Sequence, residues 1–170
     1  MHNFAELVGR STAFTLEALR QANERTLNDL QTSAATPLVK SLQMVQLQKT
    51  ISAVGIFSLF EAMLQGQLEC SDGFREAEAM LEREGETALK ERFVDLRLAI
   101  NVLKHGRGRS YDALIAKDRL PFKIKRPGEA FFFEGGVSEI DTLIEVDDAF
   151  VLNCAEVVDQ VSEAVRKTRH

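Results

Sequence analysis

The stretch LKERFVDLRLAINVLKHGRGRS, residues 89–110, joins a clear apolar repeat to a run of unbalanced positive charge. Leu89, Phe93, Leu96, Ile100 and Leu103 recur at spacings of 4, 3, 4 and 3, which places them on one face of an α-helix. Gly106 ends the pattern, as glycine commonly ends a helix. From Arg97 to Arg109 the segment carries Arg97, Lys104, Arg107 and Arg109 with no carboxylate, although the 170-residue chain has a formal charge of -5. His105 is the one interior histidine, since His2 and His170 are terminal. Histidine exchanges a proton near neutral pH and arginine binds phosphate oxygens through paired hydrogen bonds, so chemistry here is expected to involve an anion.

Helical periodicity extends outward on both sides. Upstream, Phe4, Leu7, Val8, Phe14, Ala18, Leu19, Ala22, Leu27 and Leu30 approximate an apolar stripe and predict a first helix over 4–30. Thr36 is a candidate N-cap, with Pro37 suited to the first position of a second helix. That helix keeps apolar groups from Leu38 to Leu68, and Gly55 within it reads as a close approach or a kink. Ser71-Asp72-Gly73 breaks the pattern before a short charged helix from Phe74 to Glu84. Downstream, Ser110 is expected to cap a short helix through Lys117. Phe122–Lys125, Ala130–Phe133 and Thr142–Val146 are β-prone runs punctuated by Pro127-Gly128 and Gly135-Gly136. Asp147-Asp148 then opens a last helix with Phe150, Val151, Val157, Val158, Val161 and Val165 inward. The fold expected is mostly α: a single-domain bundle of four or five helices over 1–170, with a small β-hairpin-like arm at 121–146 before the last helix.

Composition sets the broad class. Hydrophobic residues at 45% and charged ones at 28% match an ordinary globular domain. The longest apolar runs, such as Ala53–Phe57, fall well short of the roughly 20 residues a bilayer requires, so no membrane partner is expected. Met1–Arg10 does not read as a signal peptide, and the cytoplasm is the default location. Cys70 and Cys154 lack metal-ligand spacing or a near partner, so both are expected to be reduced and structural, with no metal and no cofactor. A sequence pI near 5.3 argues against nonspecific wrapping of nucleic acid but leaves room for a local basic pocket.

Arg97, Asn101 and His105, at i, i+4 and i+8, form a slowly drifting polar row beside the apolar seam. With Lys104, Arg107 and Arg109 as anion-binding groups, this set contains the parts of metal-free RNA cleavage. A base takes the 2'-hydroxyl proton, the oxygen attacks the adjacent phosphate, and cations stabilise the added charge. Glu61 could face His105 across the bundle and orient its ring. Each residue has a plainer reading. His105 suits a helix C-terminus, Gly106 and Gly108 suit a helix stop and a turn, and Arg107 and Arg109 suit a solvated turn. Glu61 can equally be exposed or paired with an arginine. Phe131-Phe132-Phe133 must be covered on one face, by this chain's helices or in a dimer.

Over Val54–Leu114 the chain resembles the HEPN family, a set of α-helical domains found in toxin, antiphage and RNA-processing systems. The resemblance rests on Phe57-Ser58-Leu59-Phe60-Glu61-Ala62, a following charged helix, and Arg97 with Asn101-Val102-Leu103-Lys104-His105-Gly106 continuing to Ser110. The family signature is an arginine, usually followed by a polar residue, with four to six residues before a histidine at a helix end. Here Asn101 and His105 match, Ile100 stands where the four-residue spacing puts the arginine, and Arg97 precedes His105 by seven intervening residues. The resemblance implies an RNA-directed protein, a metal-independent ribonuclease where the site is competent, in a toxin-antitoxin or phage-defence system. It also implies a homodimer with both motifs at the interface, and an antitoxin or other protein partner. The alternatives are a noncatalytic dimeric binding or regulatory module for a nucleotide, RNA or protein, and a structural helical adaptor.

Overall fold

A computed structural model describes residues 4–33 and 35–168, and helices account for most of them. They are α1 (Phe4–Leu30), α2 (Thr36–Leu68), α3 (Gly73–Arg83), α4 (Thr87–His105), α5 (Arg109–Ile115) and α6 (Asp148–Thr168). His2 and His170 lie outside the described residues. The mostly α expectation holds, but the described residues form six helices rather than four or five. The short elements count fully because α3 buries Phe74, Ala77, Met80 and Leu81, and α5 buries Tyr111 and Leu114.

One continuous apolar core draws on all six helices. At its centre Phe57 and Phe60 of α2 meet Phe74 of α3 and Phe93 of α4, with ring centroids 5.4–6.2 Å apart. Tilted and edge-on pairs at such distances stabilise beyond the area they bury. The backbone of α3 must come very close to α2 for these rings to meet. A Cβ on Gly73 would lie 2.7 Å from Leu64 Cβ and 2.9 Å from the Glu61 carbonyl oxygen, so only glycine fits this crossing. Asp72 caps α3 by accepting a hydrogen bond from the Arg75 backbone N–H. The described part of α1 packs only against α2 and α6, while α5 packs on α4.

Several local expectations change. On α1 the buried residues include Ala5, Val8, Thr12 and Leu16, while Leu7, Phe14 and Leu27 are exposed. Two apolar faces on one helix had merged into a single apparent stripe. Thr36 is not the N-cap of α2: Ala35 holds that position without a side-chain cap, and the helix begins at Thr36 with Pro37 in its first turn. Ser110 lies inside α5, whose N-cap is Gly108. Gly55 has no neighbour within 4 Å of where a Cβ would stand, so it marks no close approach within the chain. By length and composition α2 could cross a membrane, against the expectation from its short apolar runs, and 22% of its most apolar window is buried here. Its inner side chains Ala53, Phe57, Phe60 and Leu64 are fully in the core.

The β-hairpin-like arm does not form. Between Pro121 and Val146 the described residues make no strand, only one isolated antiparallel bridge between Ile124 and Ile144. Pro127-Gly128 and Gly135-Gly136 turn the chain away before a ladder can extend. Phe132 and Phe133 find another acceptor: both backbone N–H groups donate to the Glu139 carboxylate at 2.9 and 2.8 Å. Lys125 Nζ, nearly buried, stands 3.7 Å from the same carboxylate. The Phe triplet is only partly covered, since Phe131 and Phe133 are exposed while Phe132 lies under Lys125. At the end of the arm, the Asp147 carboxylate accepts from Phe150 N–H and α6 begins as expected. All six α6 residues expected to face inward are buried.

Burial pushes the Glu139 carboxyl upward, but the two backbone N–H donors and Lys125 outweigh it and hold the group below its usual range. A depressed carboxylate stabilises the fold above its unfolded pKa, and that contribution disappears as pH falls through the lower folded value. In urea unfolding followed at stepped pH, wild type is therefore expected to lose stability below the ordinary carboxylate range. Glu139→Gln should be less stable at neutral pH and show a shallower acid limb.

Candidate anion site at the end of α4

Packing of the Phe93, Leu96 and Ile100 face into the core fixes the rotation of α4 and leaves Asn101 and His105 on its open side. The helix stops because Gly106 takes φ 73°, a backbone conformation that suits glycine, while its N–H still donates to the Val102 carbonyl at 2.8 Å. Lys104 and His105 occupy the last turn, where positive charge interacts favourably with the unpaired carbonyls. The chain then reverses through Arg107 and Gly108 into α5.

This reversal closes an open recess of about 250 Å³ lined by Asn101, His105 and residues 106–110. No carboxylate lines it. His105, Arg107 and Arg109 are exposed, and none of them forms an ion pair among the described residues. Arg107 is partly positioned by its guanidinium lying 5.7 Å from the centroid of the Tyr111 ring, a cation–π arrangement. Tyr111 is buried, and its hydroxyl donates to the Lys125 carbonyl at 2.7 Å. The root of the arm thus braces the ring that carries Arg107. Hydrogen-bond donors from Asn101, Ser110 and two guanidinium groups surround a space suited to a phosphate-sized anion.

Not every residue singled out in the sequence reaches this recess. Arg97 faces α3, where its Nε lies 2.6 Å from Glu78 Oε1. The contact is a charge pair without in-line hydrogen-bond geometry, and both atoms are buried. Arg97 is therefore committed to a carboxylate and does not line the recess. Ile100 is 4% exposed, so the position at which the resemblance looks for an arginine is in the core. Lys104 is exposed in the same helical turn but lies outside the lining. Glu61 makes no hydrogen bond or ion pair with His105 and sits on the stretch of α2 crossed by Gly73. Among the described residues no group of three His, Cys, Asp or Glu side chains is placed to hold a metal ion. Cys70 and Cys154 are free thiols, and burial pushes the Cys154 thiol far above its ordinary range.

Two participants escaped the sequence reading. Tyr111 had one available signal, as the single tyrosine of the chain, close behind the arginines. Glu78 had none, because its meeting with Arg97 depends on how α3 packs on α4. Comparison with protein-family models, curated proteins and solved structures returns no match.

The assignment of Arg97 to Glu78 separates stability from binding. Arg97→Met is expected to lower the unfolding free energy by roughly 1–2 kcal/mol, because it strands a mostly buried carboxylate. A double-mutant cycle with Glu78→Gln should show strong coupling in urea unfolding. Phosphate affinity of the folded protein should be unchanged in the same variant.

Proposed function

We propose that this chain is a HEPN-like, RNA-directed protein that holds an RNA phosphate in the recess at the end of α4. The observation that carries the reading is the gathering of Asn101, His105, Arg107, Arg109 and Ser110 around one open recess without a carboxylate, on a chain whose net charge is -5. Arginines contribute paired donors to phosphate oxygens, and Asn101 and Ser110 supply neutral donors. Lys104 adds positive potential nearby. An acidic molecule with one local basic recess would engage an RNA end or loop rather than coat a duplex.

A second reading is a metal-independent ribonuclease, and it is favoured by the exposed position of His105 at the edge of the same recess. In that role His105 takes the 2'-hydroxyl proton as base, or gives one to the departing 5'-oxygen as acid. Arg107 and Arg109 stabilise charge on the phosphorus oxygens. Arg97 takes no part in either role while Glu78 holds it. A toxin or phage-defence setting, with an antitoxin or other protein partner, belongs to the same proposal through the resemblance.

Fluorescence anisotropy with a pool of short single-stranded RNAs tests the binding reading. Wild type should bind with a marked salt dependence, and Arg107→Ala and Arg109→Ala should each reduce the logarithmic salt slope by about 0.7. Absence of RNA binding, or binding indifferent to both changes, contradicts it. In EDTA, cleavage leaving 2',3'-cyclic ends that disappears in an equally folded His105→Ala variant would establish the ribonuclease. RNA binding without cleavage would leave the noncatalytic module.

A further inference from the structure

A second pocket lies beyond the other end of α5, and its chemistry differs from that of the recess. It is open, about 310 Å³ in volume, with Lys117, Asp118, Lys123, Arg126, Glu129 and Phe131 among its walls. Phe131 is 60% exposed, which leaves an aromatic ring available to a ligand. Resting on the RNA reading above, we propose that this pocket is a base-reading subsite. It stacks a nucleobase of the strand held in the recess on Phe131 and accepts the amino hydrogens of that base at Asp118 and Glu129.

The charges of the pocket suit a base rather than a second phosphate. Lys117 is paired with Asp95, and Lys123 with Glu145. Arg126 and Asp118 form no ion pair among the described residues. The Arg126 guanidinium donates to the Ile115 carbonyl at 3.2 Å, and its backbone N–H donates to the Glu129 carboxylate at 2.7 Å. One unpaired cation thus stands against two carboxylates, so an anion gains little. A base gains twice. Stacking on an aromatic ring is open to every base, and carboxylate oxygens accept hydrogen bonds from the amino groups of cytosine, adenine or guanine. Uracil carries no amino group and gains only the stacking.

One side chain joins the two places. Arg107, on the recess, lies 5.7 Å from the Tyr111 ring centroid, and the Tyr111 hydroxyl donates to the Lys125 carbonyl at 2.7 Å. Ile124 and Arg126, on either side of Lys125, both line the second pocket. The Glu139 carboxylate steadies the platform by holding the backbone N–H groups of Phe132 and Phe133, next in the chain to Phe131. The seven residues of α5 cover about 10 Å, the rise of about three nucleotides stacked as in one strand of a duplex. A strand with a phosphate at Arg107 and Arg109 therefore brings a base to Phe131 once it is long enough to pass α5. A short strand of two nucleotides occupies the recess alone.

Anisotropy with labelled hexacytidylate, hexauridylate and a cytidine dinucleotide tests the proposal, with circular dichroism as the control for folding. Wild type should bind hexacytidylate more tightly than hexauridylate. Phe131→Ala should weaken hexacytidylate about tenfold and leave the dinucleotide unchanged, while Asp118→Ala should narrow the ratio between the two hexamers. Arg107→Ala should weaken all three strands, which keeps the two sites distinguishable. Equal affinity for the two hexamers in wild type overturns the subsite and leaves the recess reading standing, as does hexacytidylate binding that responds to Arg107→Ala but not to Phe131→Ala. Binding that depends on Phe131 and not on Arg107 overturns the recess reading and, with it, the shared strand. Failure of every strand to bind overturns both.

Discussion

The packing of Phe57, Phe60, Phe74 and Phe93 is the constraint on which the rest of the structure depends. These rings join three helices at one point, and all four are buried. Burying a phenylalanine contributes roughly 2–3 kcal/mol, and the pairwise ring geometry adds specificity that interchangeable aliphatic residues would not give. Once Phe93 is seated, the rotation of α4 is settled along its length. Leu96 and Ile100 follow Phe93 inward, and Asn101 and His105 are carried to the open side. The position of the candidate site is thus a consequence of core packing two to three turns away.

The same constraint explains why Arg97 and Ile100 behave as they do. A helix rotated so that position 100 is in the core cannot use that position for a solvent-facing cation, and isoleucine there adds to the apolar interior. Arg97 then falls toward α3, and Glu78 neutralises it. Lys117 meets Asp95, and Lys125 meets Glu139, by the same logic of compensated charge in partly buried places. The recess cations differ because they lie beyond the end of the core, where water screens them and no carboxylate is folded against them. A chain with a net charge of -5 can therefore still offer an anion a local welcome.

Much of the helical architecture was legible in the sequence because a 3.6-residue period is a direct image of burial. The spacing of Phe93, Leu96 and Ile100, and the inward valines of α6, are read that way. It failed on α1, where the stripe took in Phe14, which is exposed, and passed over Leu16, which is buried. Composition also misled over the arm, because glycine and proline turns stop the pairing at the single Ile124–Ile144 bridge and the N–H groups of Phe132 and Phe133 are taken by Glu139. For the site, local spacing placed Asn101 and His105 together and identified Arg107 and Arg109 beyond the helix end. It could not reveal that Arg97 meets Glu78, nor that Tyr111 supports Arg107, since both depend on which helices touch. Local chemistry was readable from the chain, and its partners were not.

Nitrogen-detected NMR during titration with a short single-stranded RNA tests the central claim most directly, because it reports backbone amides and arginine side chains separately. The account predicts shifts concentrated at residues 101–111 and at Nε of Arg107 and Arg109, with Nε of Arg97 unmoved. Shifts centred on residues 117–133 or on Arg97, or no shifts at millimolar RNA, would contradict it.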